Sequence, residues 1–435
     1  MCVIVSLKIA LDATPTTLSQ LESQIEEAGR AAMKAALQQA IRGIQAQPNR
    51  CPRCGSNQFH TQGTKRRVLL TRFGRVEVPL QRLRCQTCRL LFRPAERCLA
   101  EVKGHNITPA LRDLAALVGS SWPYETAAAV LKRLSGVQLS DERLRQITNE
   151  QGRAVAQAQC EQAEQVLKEA VSMEQIRAQR EQSAHVSTQG PPQWVQVGLD
   201  GGWVPSREQK GGMEGKIGVV ASQMEAVGKH GRHRLSRRRY VATFGAAEEV
   251  GQLTYAAAYE LGATEAERQV VLGDGANWIK TQAEEHFPDA VKILDWPHLW
   301  RKIRDAVRAV APGQRADRRA WRKAQYDVLL PLLWRGEHAQ AHQHLQGLRR
   351  ASGDVPLALE AALRYLETQQ DWLGNYEQWQ EQGYPVGSGL VERAVALVIN
   401  LRMKKRGMRW KRGNATAVVA LRVQQINADW ETAAA

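Results

Sequence analysis

The sequence predicts an α/β protein with smaller modules ahead of its main sheet, and three observations carry that prediction. Two C-x-x-C pairs flank a stretch that alternates like a β-hairpin. Residues 107–182 carry helical periodicity and no strand pattern. Beyond residue 193, short apolar or alternating runs end on acidic residues beside glycine, with helical stretches between them.

The chain has 435 residues, 43% of them hydrophobic, enough for several domains with cores of their own. Lys and Arg number 60 against 44 Asp and Glu, a net charge of +16. A chain this basic most often meets a polyanion, usually nucleic acid. No apolar run reaches membrane-spanning length, so no membrane partner is expected. The start, MCVIVSLKIALDA, lacks the basic residues and cleavage site of a secretory leader, which predicts a cytoplasmic protein. The cysteines are odd in number, seven, and two pairs are closely spaced, which suits a reducing compartment and a metal site rather than disulfides.

Residues 15–47 read as a helix capped by Thr17 or Ser19, with Leu21, Ile25, Ala32, Ala36 and Ile41 at helical spacing. The pairs Cys51/Cys54 and Cys85/Cys88 are the knuckles of a zinc ribbon: thiolates are soft ligands, and two i,i+3 pairs close a tetrahedron. Between them, Arg67–Arg72 and Val76–Leu83 are two strands about Phe73-Gly74, a hairpin that brings the knuckles together. Four cysteines leave no open position for water, so the zinc is structural. The hairpin's Arg and Lys also suit phosphate.

Pro109 suits the first turn of the next helix. YETAAAVLKRLSG, a short turn and a Ser140-capped DERLRQITNEQG then give helix, turn, helix. Such hairpins occur in ordinary cores and in DNA readers. In the second case Arg143, Arg145, Gln146 and Asn149 enter the major groove. Residues 183–192 read as a linker.

QWVQVGLDGGWV follows, a strand with Trp194, Gln196, Gly198 and Asp200 on one face and Val195, Val197 and Leu199 on the other. Asp200 stands before a Gly-Gly break, a position that also suits an ordinary turn. Lys216–Ala221 and Arg239–Phe244 are further strands, and the loop 228–239 between them is strongly basic, with Arg237 and Arg238 as candidate phosphate contacts. RQVVLGDGANWIK repeats strand, acid, glycine at Asp274. The strand before Asp295 has His298 three residues on; Asp295 either takes part in chemistry or fixes His298. Residues 301–382 are helical and crowded with Trp and Arg. In the last long element Ser388 caps a helix with Glu392 in its first turn and a Leu390, Ala394, Leu397, Leu401 stripe. Its tail carries Arg402, Lys404, Lys405, Arg406 and Arg409 beside Trp410, a nucleic-acid pattern. Three carboxylates, Asp200, Asp274 and Glu392, from two strand ends and a helix start can hold two divalent cations about 3.5–4 Å apart. Mg²⁺ or Mn²⁺ is expected, because hard oxygens are the ligands such ions prefer.

VGLDGGWV, VVLGDGANWI, ILDWPHLWRKI and PVGSGLVERAVALVINLRMKKRGMRW resemble the DDE transposases of bacterial insertion sequences, specifically the ISKra-type group related to Mutator-like transposases. The resemblance runs from about residue 50 to 415. It implies an α/β RNase H-like catalytic domain with an all-helical insertion, preceded by a zinc ribbon and a helix-turn-helix-like helical domain. The implied divisions are an N-terminal helical segment 1–49, the zinc ribbon 50–100, the helical DNA-binding domain 105–182, the catalytic domain 193–300 and 385–415, and the insertion 301–384. It also implies catalytic roles for Asp200, Asp274 and Glu392, with Asp295 and His298 in the family's acid–histidine motif. The expected partners are double-stranded DNA, both terminal inverted repeats and target, with a homo-oligomer assembling on it in a bacterial, nucleoid-associated setting. The implied activity is cleavage at element ends and strand transfer. An RNase H-like nuclease or resolvase without strand transfer, or a non-catalytic DNA-binding regulator, are the alternatives.

Overall fold

The first helix, α1 (Leu18–Ala46), opens with a reciprocal cap: the Gln20 amide donates to the Thr17 hydroxyl at 3.3 Å, and the Thr17 amide donates to the Gln20 side chain at 3.1 Å. In this computed structural model the described residues are 11, 14, 17–46, 50–96, 98–179, 194–222, 224–227, 232–235, 237–312, 315–352 and 355–427. They form two compact units, residues 1–151 and 152–435.

In the first unit, Ile41 of α1 is buried with Leu69, Val76, Val78 and Leu80 of a hairpin. The Gln45 side chain donates to the Pro79 carbonyl at 2.8 Å. The strands β1 (Phe59–Thr71) and β2 (Gly74–Cys85) pair antiparallel and close at Arg72-Phe73, and β3 (Leu91–Phe92) adds to β2. β1 starts eight residues earlier than its alternation shows. Its first half is exposed on both faces, so no hydrophobic pattern marks it.

The helices α2 (Pro109–Ser121) and α3 (Tyr124–Ser135) and the start of α4 (Asp141–Gln179) share a core of Leu111, Val118, Leu131, Leu144 and Ile147. Ser140 caps α4 as expected, accepting from the Arg143 amide at 3.1 Å. The boundaries differ from the reading above, because α4 continues through Gly152 to residue 179 as one helix of 39 residues. Gly152 does not end it but lets it approach the Ala417 carbonyl, which a Cβ would meet at 2.2 Å. The boundary between units therefore falls inside a helix at residue 151, and the expected linker 183–192 lies outside the described residues.

The second unit is built on a five-stranded sheet. Its strands are β4 (Trp194–Val204), β5 (Met213–Ala221), β8 (Arg238–Thr243), β9 (Arg268–Gly273) and β10 (Val291–Leu294), and a separate ribbon pairs β6 (Met224–Val227) with β7 (Arg232–Leu235). The order is β10-β9-β4-β5-β8. β4, β5 and β8 run as an antiparallel meander, and β9 and β10 return parallel to β4. The helix α5 (Ala247–Glu260) links β8 to β9, and α6 (Asn277–His286) links β9 to β10. Then come α7 (Trp296–Val310), α8 (Arg315–Trp334), α9 (His338–Ala351), α10 (Leu357–Thr368) and α11 (Tyr376–Glu381), with no strand among the described residues between β10 and the end of α11. Their tryptophans form a core: Trp296 stands edge-on to Trp334 at 4.8 Å and stacks parallel to Trp300 at 6.2 Å, and Trp372 is fully buried. No helix among the described residues is long and apolar enough to cross a membrane.

The two faces of β4 are covered differently. Val195, Val197 and Leu199 belong to one core with Ile279 of α6 and Leu299 of α7. Gly198 and Gly202 lie on the other face, under α12 (Gly389–Val395), which continues through a π-helical turn (Ala396–Asn400) into α13 (Leu401–Met403). A Cβ on Gly198 would stand 3.1 Å from Val391, and one on Gly202 would stand 2.9 Å from Ile399, so the glycines set how closely this helix lies on the sheet. The buried stripe is Val391, Ala394, Val395, Val398 and Ile399, and Leu401 is 55% exposed. Of the predicted stripe, Ala394 is buried and Leu390 packs against the same core, but Leu401 falls outside it and Val391, Val395, Val398 and Ile399 make the main contact. The β-branched side chains face the sheet, and the π turn adds a residue to the helical repeat beyond Val395. The last helix, α14 (Arg412–Ile426), sends buried Arg422 to the carbonyls of Leu397 and Val398 in that turn. A π turn frees carbonyls, and here a guanidinium satisfies two of them.

Candidate functional site

Parallel pairing sets Gly198 opposite Leu272 and Gly273 opposite Leu294. Carried past the last paired residues, the same registers set Asp200 level with Asp274 and Asp274 level with Asp295. Neighbouring strands lie about 4.8 Å apart, so three acids form one row across the sheet. Asp200 does not end its strand as expected. β4 continues through Gly201-Gly202 to Val204, paired with β5 throughout. Asp200 shares the face of Gly198 and Gly202, the face that α12 covers, and its carboxylate accepts from the Gly201 amide at 2.7 Å.

Asp274 follows β9, and its carboxylate accepts from the Ala276 amide at 3.0 Å. Its loop is held by residues that the sequence did not point to. Tyr365 donates to the Asp274 carbonyl at 2.6 Å, and the Gln369 amide nitrogen donates to the Gly275 carbonyl at 3.0 Å. Gly275 sits at φ +83°, which disfavours any other residue, and a Cβ there would meet Gln369 at 2.4 Å. Tyr376 does the same for β10, donating to Leu294 at 2.9 Å. The helices between β10 and α12 therefore brace both strand ends that carry acids. Burial raises the Tyr365 hydroxyl further above its ordinary range, with Asp274 and Asp295 adding to the shift, so it stays a donor.

Asp295, which the sequence placed either in the chemistry or as the group that fixes His298, bonds His298 as the second reading has it. It is fully buried and its oxygens are occupied. One accepts from the Ser388 amide at 2.5 Å, and the other accepts from the His298 amide at 2.9 Å and contacts the His298 Nδ1. It caps α7 and ties the entry of α12, four residues before Glu392, to the end of β10. His298 is half-buried, and its bond to Asp295 raises its pKa. Its charge favours the ionised form of Asp200, and the Asp274 carboxylate adds to the rise of the His298 pKa. Glu392 is exposed in the first turn of α12, and its amide donates to Ser388 at 2.9 Å.

The structure thus brings Asp200, Asp274, His298 and Glu392 into one electrostatic neighbourhood without closing them into a cage. Among the described residues, the four cysteines alone form a group of three or more ligating side chains with all donor atoms within 4.8 Å of one another. Asp200 registers the crowding: burial, and then the Asp274 and Glu392 carboxylates, outweigh the Gly201 amide and His298 and push its pKa up to about 6. The folded protein therefore holds this proton more tightly than the unfolded chain. Stability is lost as pH rises from the ordinary 3.8 through about 6, and the cost is complete above that. Asp200→Asn is neutral throughout. In cation-free protein it is expected to gain up to about 3 kcal/mol at pH 7.5, with the gain vanishing near pH 4. Denaturant unfolding at both pH values checks this, and a variant less stable than the parent at pH 7.5 contradicts it.

In the first unit, Cys51 Sγ lies 3.5 Å from Cys88 Sγ, and Cys54 Sγ lies 3.6 Å from Cys85 Sγ. Tetrahedral zinc with bonds of about 2.3 Å sets sulfurs about 3.8 Å apart, so the cluster has the donors and spacing for zinc. The two knuckles repeat one geometry. The Gly55 amide donates to Cys51 at 2.9 Å and the Arg89 amide to Cys85 at 3.1 Å, with Gly55 at φ +71° and Arg89 at φ +61°. The Cys88 amide leads the effects that lower the Cys85 thiol to about 6, which favours the thiolate a metal needs.

The predicted DNA contacts fare unevenly. Lys404, Lys405 and Arg406 are exposed. Arg409 is exposed, with its Nε on the Ser206 carbonyl at 3.1 Å. Arg402 is a correction: it is 1% exposed and lies over the ring of Trp410 at 5.1 Å. Trp410 is itself buried, and its ring nitrogen donates to Met403 at 3.1 Å. The pair is packed against the helix end as a buried cation–π contact rather than presented on the surface. Arg237 is exposed, and Arg238 is half-buried in β8. Arg145 is paired with Glu142 at 2.5 and 2.8 Å, and Arg143 donates to Gln146 at 3.0 Å. Asn149 is 4% exposed, so it cannot enter a groove as expected; it lies on the side of α4 that packs inward.

A family model described as an uncharacterised protein family, UPF0236, matches residues 14–433, and the chain belongs to that family. No curated protein matches it.

Proposed function

We propose that this member of an uncharacterised family is a DNA transposase that recognises insertion-sequence ends and carries out two-metal-ion strand cleavage and strand transfer. One observation carries the reading: Asp200, within β4, and Asp274, just past the end of β9, stand level on neighbouring parallel strands, and the helix that covers the Asp200 face carries Glu392 in its first turn. An antiparallel meander followed by two parallel strands on the far side of the first is the strand order of an RNase H-like sheet, which supports that fold assignment. The helices between β10 and α12 are then the insertion. The zinc ribbon and the α3–α4 hairpin are the modules that accompany DNA end recognition.

Asp200, Asp274 and Glu392 are the residues that would hold divalent cations. Their hard oxygens suit Mg²⁺ or Mn²⁺, and Asp200, whose pKa is raised by burial and then by the Asp274 and Glu392 carboxylates, would be relieved by a cation there. When bound, the ions supply an activated hydroxyl and stabilise a leaving oxygen. The chain's own part is to hold Asp200 within β4 and Asp274 just past β9, to fix His298 through Asp295, and to keep water-exposed Glu392 free to close on them.

The test uses the purified chain, duplexes carrying the DNA that flanks its gene, a target plasmid and Mg²⁺ or Mn²⁺. Cleavage at the ends and joining to the plasmid, both abolished by chelation, are expected. Cleavage without joining identifies a nuclease or resolvase instead. Binding without either identifies a regulator.

A further inference from the structure

The first unit holds a cavity of about 920 Å³ between the middle of β1 and the segment 93–106. Lys65, Arg66, Arg67, Arg93 and Lys103 line it against a single acid, Glu96, which pairs with Arg93 at 3.9 Å. The wall is built in advance. Arg67 is half-buried and donates to the carbonyls of Val102 and, at 2.6 Å, His105. That fixes the segment carrying Lys103 against the strand carrying Lys65 and Arg66. Lys65, Arg66 and Lys103 themselves are exposed. The Nε of Arg93 and the Nδ1 of His105 are buried with no hydrogen-bond partner. Such atoms are costly without an acceptor oxygen.

We propose that this cavity is a cradle for the phosphodiester backbone of DNA, separate from the arginines named from the helical hairpin and the basic tail. The choice of DNA as the anion's carrier rests on the function proposed above. The local features favour a backbone over an apolar ligand. Five cations spread over a large cavity match repeated, evenly charged groups, whereas the apolar lining is limited to Leu80, Leu99 and Ala100.

The test is the salt dependence of duplex binding by the full chain, read by fluorescence anisotropy. Replacing Lys65, Arg66 and Lys103 together with Ala is expected to flatten the log Kd against log salt slope by about 2.7, near 0.9 per lost phosphate contact. The swap K65R/R66K/K103R is expected to keep the parent slope, and zinc content reports the fold of the ribbon. If the triple variant loses zinc, Lys103→Ala alone, outside the hairpin, is expected to flatten the slope by about 0.9. An unchanged slope in zinc-retaining protein overturns the proposal. So does displacement of DNA from the parent by millimolar inorganic phosphate at constant ionic strength, which would identify a small-anion site. The cleavage assay separates the two ideas: an unchanged slope with normal cleavage sinks the cradle alone, and a flattened slope with no cleavage sinks the enzyme alone.

Discussion

Replacing Cys54 or Cys88 with Ser is expected to drop bound zinc from one per chain towards none and to unfold the ribbon. The four sulfurs span both ends of the β1–β2 hairpin, and the knuckles have only short turns to hold them. The hairpin core itself is modest, with Leu69, Val76, Val78 and Leu80 against Ile41 of α1 and Ala95, Leu99 and Val102 of the following segment. Metal binding is folding free energy in such a module, about 10–16 kcal/mol in isolated zinc fingers, so its loss removes a contribution as large as that core supplies. Loss should therefore spread to α1, which packs on the same strands. Zinc analysis with limited proteolysis checks this: cleavage is expected within residues 50–96, while the second unit stays resistant. Full zinc in both variants contradicts it.

The ribbon was legible because its chemistry is local. Two C-x-x-C pairs need only a hairpin between them, and alternation showed half of it. The row of acids was legible for a similar reason, since each follows a short apolar run, although β4 continues past Asp200. What stayed hidden depends on distant partners. Tyr365 and Gln369 sit in an ordinary amphipathic helix, and nothing near them signals that they reach back about ninety residues to the Asp274 loop. The Glu392 helix misled for a different reason. Leucines at helical spacing suggested the buried stripe, but the glycines of β4 select β-branched partners, and the π turn shifts the repeat. Arg402 and Trp410 read as a DNA-facing pair because composition does not tell a buried cation–π contact from an exposed one. The Asp295–His298 bond was one of the two readings the sequence left open, but charge alone gave no hint that Asp295 is buried and also holds the Ser388 amide at the entry of α12.

The central claim is that three carboxylates far apart in sequence act as one site. Asp200→Asn, Asp274→Asn and Glu392→Gln each remove one charge while keeping shape. None disturbs a buried contact of the kind Asp295 makes. A site that needs all three should lose activity as a unit, by at least about 10³-fold in each single variant, as groups acting together do. DNA affinity should hold or rise, because a negative charge near the phosphates is gone. The decisive measurement is Mg²⁺-dependent end cleavage and joining by these three variants beside their DNA affinity. Loss of both reactions in all three, with binding retained, is the predicted result. Near-parent cleavage by any one of them, Glu392→Gln above all, contradicts the account.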